Sequence, residues 1–127
     1  MVDILADTIN KIKVYESKGM YECVVPSTKL IRSVLDAMKA NKYIGGYEEI
    51  KDGKFKRVKI ELAKKINDIG AIKPRYPVTL GEYQKYEQRF IPSNNFGMLI
   101  VSTSSGIMTN KEAKERKLGG RLLAYVY

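Results

Sequence analysis

The sequence predicts an α+β protein of two small α/β halves packed together, the C-terminal half richer in β-strands. Apolar residues recur at helical spacing over residues 3–16 and again after Ser27. A period-two alternation follows, on either side of Asp52-Gly53. Beyond residue 64, short apolar runs are separated by prolines, glycines and brief capped helices. The first pattern belongs to helices, the second to a hairpin and the third to a strand-rich unit.

Each element has a local reason. Ile4, Leu5, Ile9 and Ile12 fall on one face of the first helix, which Gly19 ends. Residues 21–25 read as a short strand stopped by Pro26. Ser27 is the expected N-cap of a second helix burying Leu30, Ile31, Val34, Leu35 and Met38. Tyr43–Ile50 and Lys54–Leu62 form the expected hairpin; Val58, Ile60 and Leu62 face inward, and Arg57, Lys59 and Glu61 face water. The stretch from Lys64 to Gly70 is the expected seam, giving halves 1–65 and 66–127. A strand is expected at residues 69–72, before Pro74 and Pro77. Thr79-Leu-Gly-Glu82 matches a capping box for a short helix through Tyr83, Tyr86 and Gln88. Phe96–Ser102 reads as a strand. Thr109-Asn-Lys-Glu112 is a second capping box, for a helix carrying Lys111, Lys114, Arg116 and Lys117. Gly119-Gly120 ends it before a last strand, Arg121–Tyr127.

Composition narrows the function. The chain has 127 residues, 44% hydrophobic and 29% charged, which are globular values. Lys and Arg number 23 against 14 Asp and Glu, a net charge of +9 that favours a polyanionic partner. No run is long and apolar enough to cross a bilayer, and no signal peptide is expected, so no membrane role is expected. With no histidine, the common catalytic triads and His-containing zinc sites are excluded. Cys23, the single cysteine, sits in an apolar run and reads as a buried hydrophobe in a reducing cytoplasm. No metal-binding pattern and no Gly-x-Ser-x-Gly elbow occur, so neither a cofactor nor an enzymatic activity is expected.

The C-terminal third is the most informative. An apolar run, Met98–Val101, leads into Ser102, Thr103, Ser104 and Ser105; Gly106 is expected to turn the chain, and Thr109 to cap a basic helix. Hydroxyls, a glycine turn and a helix start together suit phosphate, sugar and base edges. The string Val101-Ser-Thr-Ser-Ser-Gly-Ile-Met-Thr109, with Glu112-Ala113 and Gly119-Gly120, resembles the signature of the small-subunit ribosomal protein S8 family. Asp3-Ile-Leu-Ala-Asp7 with Ile9-Asn10 and Ile12 is similar to that family's start. Pro26-Ser-Thr-Lys29 before an apolar helix, then Tyr43-Ile44, is similar to its middle. The ending Leu122–Tyr127 and the stretch from Thr79 to Asn95 resemble the archaeal-eukaryotic branch. Bacterial members usually carry Lys where this chain has Ser105, and often an acidic residue where it has Arg121.

The resemblance implies a two-part α+β fold that binds small-subunit ribosomal RNA at an irregular helix of its central domain. It implies a structural constituent that binds early, aids subunit assembly, and acts as a monomer beside neighbouring small-subunit ribosomal proteins. A free RNA-binding translational regulator, including of its own messenger, is the alternative.

Short hydroxyls suit RNA because its shallow minor groove is lined by 2′-hydroxyls. Ser102, Thr103, Ser104 and Ser105 are the expected reading loop, shaped by Gly106. Side chains alternate along a strand, so Thr103 with Ser105, or Ser104 after the turn, should make most contacts. Thr109 and Lys111 offer a phosphate site, although capping alone accounts for Thr109. Lys73 and Arg75 lie in a proline-stiffened loop, and Arg121 follows the paired glycines. Asn10, Lys11, Lys13, Lys29 and Arg32 read as a second patch on the N-terminal half or as solvated surface charge. Tyr83 and Tyr86 share a helical face and read as packing residues or as base-stacking ones.

Overall fold

A computed structural model describes residues 4–73, 75–92 and 96–127. The expected helix start at Asp3, the strand-breaking Pro74 and the end of the Thr79–Asn95 stretch lie outside the described residues. The protein is a mixed α+β chain that divides into two compact units, Met1–Ile66 and Asn67–Tyr127.

In the first unit, α1 (Ile4–Ser17), β1 (Glu22–Pro26), α2 (Lys29–Ala40), β2 (Ile44–Asp52) and β3 (Phe55–Leu62) follow in order. The strands form an antiparallel sheet, β1-β3-β2. Helix α1 packs on β1, and α2 on β2. From α1, Leu5, Thr8, Ile9 and Ile12 are buried. Ile4 was expected among them and is instead 46% exposed. The inward stripe runs i, i+3, i+4, i+7 from Leu5, and Ile4 lies about 100° round the helix from its start. From α2, Ile31, Val34, Leu35 and Met38 are buried, while Leu30 is only half-buried.

Thr28, not Ser27, caps α2: its Oγ1 accepts from the Ile31 amide at 3.1 Å. The Ser27 hydroxyl is engaged elsewhere, donating to Glu49 Oε1 at 3.0 Å and accepting from Arg32 Nη1 at 2.8 Å. The hairpin turn also moves by one residue. Asp52 pairs with Phe55, so Gly53-Lys54 makes the turn, with Gly53 at φ 66°.

The second unit contains β4 (Ile69–Ala71), β5 (Pro77–Val78), a single 3₁₀ turn (Leu80–Glu82), α3 (Tyr83–Phe90), β6 (Met98–Thr103), β7 (Gly106–Thr109), α4 (Asn110–Glu115) and β8 (Gly120–Val126). The antiparallel sheet runs β4-β8-β6-β7, and β5 also pairs with β8. Strand β6 is buried from Met98 to Val101 and sits between β8 and β7. Leu99, Val101, Met108, Ala113 and Leu122 pack with Tyr83 and Tyr86 into one core, so both tyrosines are packing residues. The expected capping box at Thr79 forms: the Glu82 carboxylate accepts from the Thr79 amide at 3.1 Å and hydroxyl at 2.8 Å, bonds that hold its carboxyl below the ordinary range. Strands β5 and β7 are additions to the sequence reading.

Three helices end in the same way. After α1, α2 and α4 the chain passes through a left-handed residue: Gly19 (φ 75°), Lys42 (φ 65°) and Lys117 (φ 58°). In each, the next amide reaches five residues back: Met20 to Tyr15 at 3.1 Å, Tyr43 to Met38 at 3.0 Å and Leu118 to Ala113 at 2.9 Å. This is the Schellman closure, in which glycine is the preferred left-handed residue. A lysine there costs about 1 kcal/mol more.

Candidate nucleic-acid interface

The hydroxyl run is the tip of a tight hairpin. Strand β6 ends at Thr103, Ser104-Ser105 makes the turn, and β7 begins at Gly106, so Thr103 pairs with Gly106. Gly106 was expected to be the turn itself; it is the first residue of the return strand. Its φ is 115°, with no atom within 4 Å of where a Cβ would stand. Glycine is needed there for backbone shape rather than for room.

The hydroxyls divide by what they already do. Thr103 Oγ1 donates to the Gly106 carbonyl at 2.7 Å and accepts from the Ser105 amide at 3.2 Å, closing the turn. Its only donor is therefore used within the turn, which leaves Thr103 as an acceptor and leaves the donors of Ser104 and Ser105, the other residues expected to make most contacts. Ser104 and Ser105 are exposed, and their hydroxyls make no hydrogen bond among the described residues. Ser102 is half-exposed and lies opposite both Ile107 on β7 and Arg121 on β8. Directly opposed residues project from the same face, so Ser102 and the exposed Arg121 present a hydroxyl beside a cation. Arg121 also faces Pro77 on β5, the strand that follows Lys73 and Arg75. Both of these residues are exposed, and each interacts within the chain.

The paired glycines set this geometry. A Cβ on Gly119 would stand 2.6 Å from the Val78 carbonyl oxygen. A Cβ on Gly120 would strike the Ser102 carbonyl oxygen and lie 2.9 Å from the Ser102 carbonyl carbon. Only bare backbone fits between β8 and the root of the hairpin.

Beneath the hairpin lies a buried polar network that sequence reasoning missed. Asn110, fully buried, accepts from the Leu99 amide at 3.1 Å and donates to Glu87 Oε2 at 2.6 Å. Lys114 Nζ reaches both Glu87 oxygens at 2.9 Å. Glu87 is only 1% exposed, so its charge is met inside the protein. The network ties α3, β6 and α4 together at the root of the hairpin. Its one sequence signal was a carboxylate on the apolar face of Tyr83 and Tyr86.

The basic helix is thus less available than its composition implied. Lys114 is held by Glu87, and Arg116 by Glu112 at 3.3 Å. Thr109 is buried and caps α4, accepting from the Glu112 amide at 3.3 Å, while Lys111 is exposed.

The first-unit candidates also sort themselves. Asn10, Lys13 and Lys29 are exposed, and Lys13 interacts within the chain. Lys11 Nζ donates to the Val24 carbonyl at 2.6 Å and lies 5.5 Å from the Tyr15 ring centre. Arg32 is paired with Glu49 at 3.0 Å. Lys11 and Arg32, expected as patch residues, are therefore engaged internally.

Among the described residues, no group of His, Cys, Asp and Glu is placed to hold a metal ion. No helix among them is long and apolar enough to cross a membrane. The family model described as Ribosomal protein S8 matches residues 3–127.

Proposed function

The chain belongs to the ribosomal protein S8 family, a family of structural ribosomal proteins that bind ribosomal RNA and not of enzymes, and from this premise we propose that it is a primary binder of small-subunit RNA. In this reading it sits in the cytoplasm on an irregular helix of the RNA's central domain, as one copy per particle in the archaeal-eukaryotic style. It binds early and helps the subunit assemble beside neighbouring proteins. The C-terminal half, residues 66–127, carries the reading loop. Family membership favours this particle-bound role over a free regulator.

One observation carries the reading: Ser104 and Ser105 stand exposed at the tip of a tight hairpin, with hydroxyls that no group among the described residues uses. A serine hydroxyl both donates and accepts over a short reach, as 2′-hydroxyls and base edges in a shallow minor groove require. Ser102 and Arg121 extend the contact along the sheet. Lys111, Lys73, Arg75, Asn10, Lys13 and Lys29 hold the phosphate backbone and position the tip. Lys11 and Arg32 join them only by exchanging internal partners for phosphate.

The test compares a central-domain RNA fragment with an unrelated RNA duplex. Ser104→Ala is expected to weaken the fragment about five- to tenfold, the worth of one hydrogen bond, and to leave the duplex unchanged. Lys111→Ala should weaken both alike and flatten the salt dependence by about one unit of log–log slope. Fragment binding that is indifferent to Ser104→Ala and to Ser105→Ala overturns the assignment of the tip.

A further inference from the structure

We propose that Lys117 is a phosphate-binding residue of the RNA interface, held at a backbone position where glycine would be the more stable choice. The inference rests on the RNA-binding reading above and adds to it a contact outside the hydroxyl run.

Lys117 follows α4 in the left-handed region, at φ 58°. Its backbone is held by hydrogen bonds on both sides. Its own amide bonds to the Lys114 carbonyl at 3.1 Å, and the Leu118 amide bonds to the Ala113 carbonyl at 2.9 Å. The Leu118 carbonyl accepts from the Tyr83 hydroxyl at 2.8 Å. Helix α1 makes the same closure with Gly19. A lysine in this place gives up conformational stability and roots an ammonium-bearing side chain on a hydrogen-bonded backbone.

That ammonium has no ion partner or hydrogen bond among the described residues, and the residue is exposed. The neighbouring cations of α4 differ. Lys114 is held by Glu87 and Arg116 by Glu112. Favourable interaction with the helix dipole is already served by Lys114 in the last turn and Arg116 at the C-cap, so it does not require a third cation.

The chain path brings Lys117 to the hairpin. Gly120, which leaves no room for a Cβ against the Ser102 carbonyl, lies three residues further on. That chain length spans at most about 11 Å. Lys117 therefore lies within that distance of the β8 end that presents Arg121 beside Ser102. A groove seated on the serine tip brings its flanking phosphates within reach of the side chain.

The experiment uses the full chain, a central-domain RNA fragment and an unrelated duplex, each titrated over a range of salt. Lys117→Gly is expected to raise the thermal midpoint by about 3 °C or more, because glycine relaxes the left-handed site. The same change should weaken both RNAs about fivefold and reduce the log–log salt slope by about one, as loss of one phosphate contact does. Lys117→Arg keeps the charge and should bind as the wild type does. Unchanged affinity and slope in Lys117→Gly overturn the proposal. The Ser104→Ala variant, run alongside, separates the two readings. If Ser104→Ala weakens binding and Lys117→Gly does not, the lysine site alone fails. If the reverse holds, the lysine site stands and the serine assignment fails.

Discussion

Gly120→Ala is expected to destabilise the second unit by about 3 kcal/mol, near the upper end for an intrusion into a packed site. The added methyl meets backbone, not a yielding side chain. It would strike the Ser102 carbonyl oxygen and crowd Val101 Cγ1 at 3.1 Å. Relief requires β8 to move away from β6, which breaks the register that sets Arg121 opposite Ser102. Affinity for the RNA fragment should therefore fall more than tenfold under conditions where the variant remains folded. Gly106→Ala is the control. Its methyl meets nothing within 4 Å, and only its φ of 115° is unfavourable, so its cost should be about 1 kcal/mol. Urea unfolding of the two variants checks the order. Equal stability would show that strand proximity at Gly120 is not the controlling term.

Glu87→Ala is expected to cost about 3 kcal/mol, the low end of the range for breaking a buried charged pair. Glu87 is almost fully enclosed, but Lys114 keeps 36% of its side chain in water, so the orphaned ammonium can rehydrate. The amide of Asn110 has no such escape, being fully buried, and loses its 2.6 Å acceptor. Glu87→Gln restores an acceptor without the charge and should cost about 1 kcal/mol. Thermal unfolding measures both. Hydrogen exchange at the Leu99 amide, bonded to Asn110 Oδ1 at 3.1 Å, locates the loosening at the root of the hairpin. Slow exchange there in Glu87→Ala would contradict the role given to the network.

Much of this architecture was written locally. The stripe Leu5, Ile9, Ile12 and the set Ile31, Val34, Leu35, Met38 are helical spacings that burial converts into packing. Val58, Ile60 and Leu62 alternate as a half-buried strand must. What escaped depends on partners distant in the chain. Ser27 and Thr28 are both good caps; only the demands of Glu49 and Arg32 on Ser27 leave the role to Thr28. Strand β7 has only the residues Gly-Ile-Met-Thr, too short for a periodic signal, and exists because β6 pairs with it.

The candidate surface divides in the same way. The hydroxyl run was legible as a run. Which hydroxyls are free was not, because that depends on Thr103 closing the turn onto Gly106. Arg32, Lys11 and Lys114 looked alike in composition to Lys29 and Lys111. Each is engaged by a group between 13 and 27 residues away, separations at which no sequence periodicity operates.

Cys23 is the second residue of β1 and is 1% exposed, paired with Ile60 on β3. Enclosure pushes its thiol upward from the ordinary value, so the reactive thiolate is scarce even before access is considered. A thiol reagent can meet this sulfur only when the packing that covers this face of β1, including helix α1, opens. Since no other cysteine competes, the rate of alkylation is a stopwatch on the opening of the amino-terminal core.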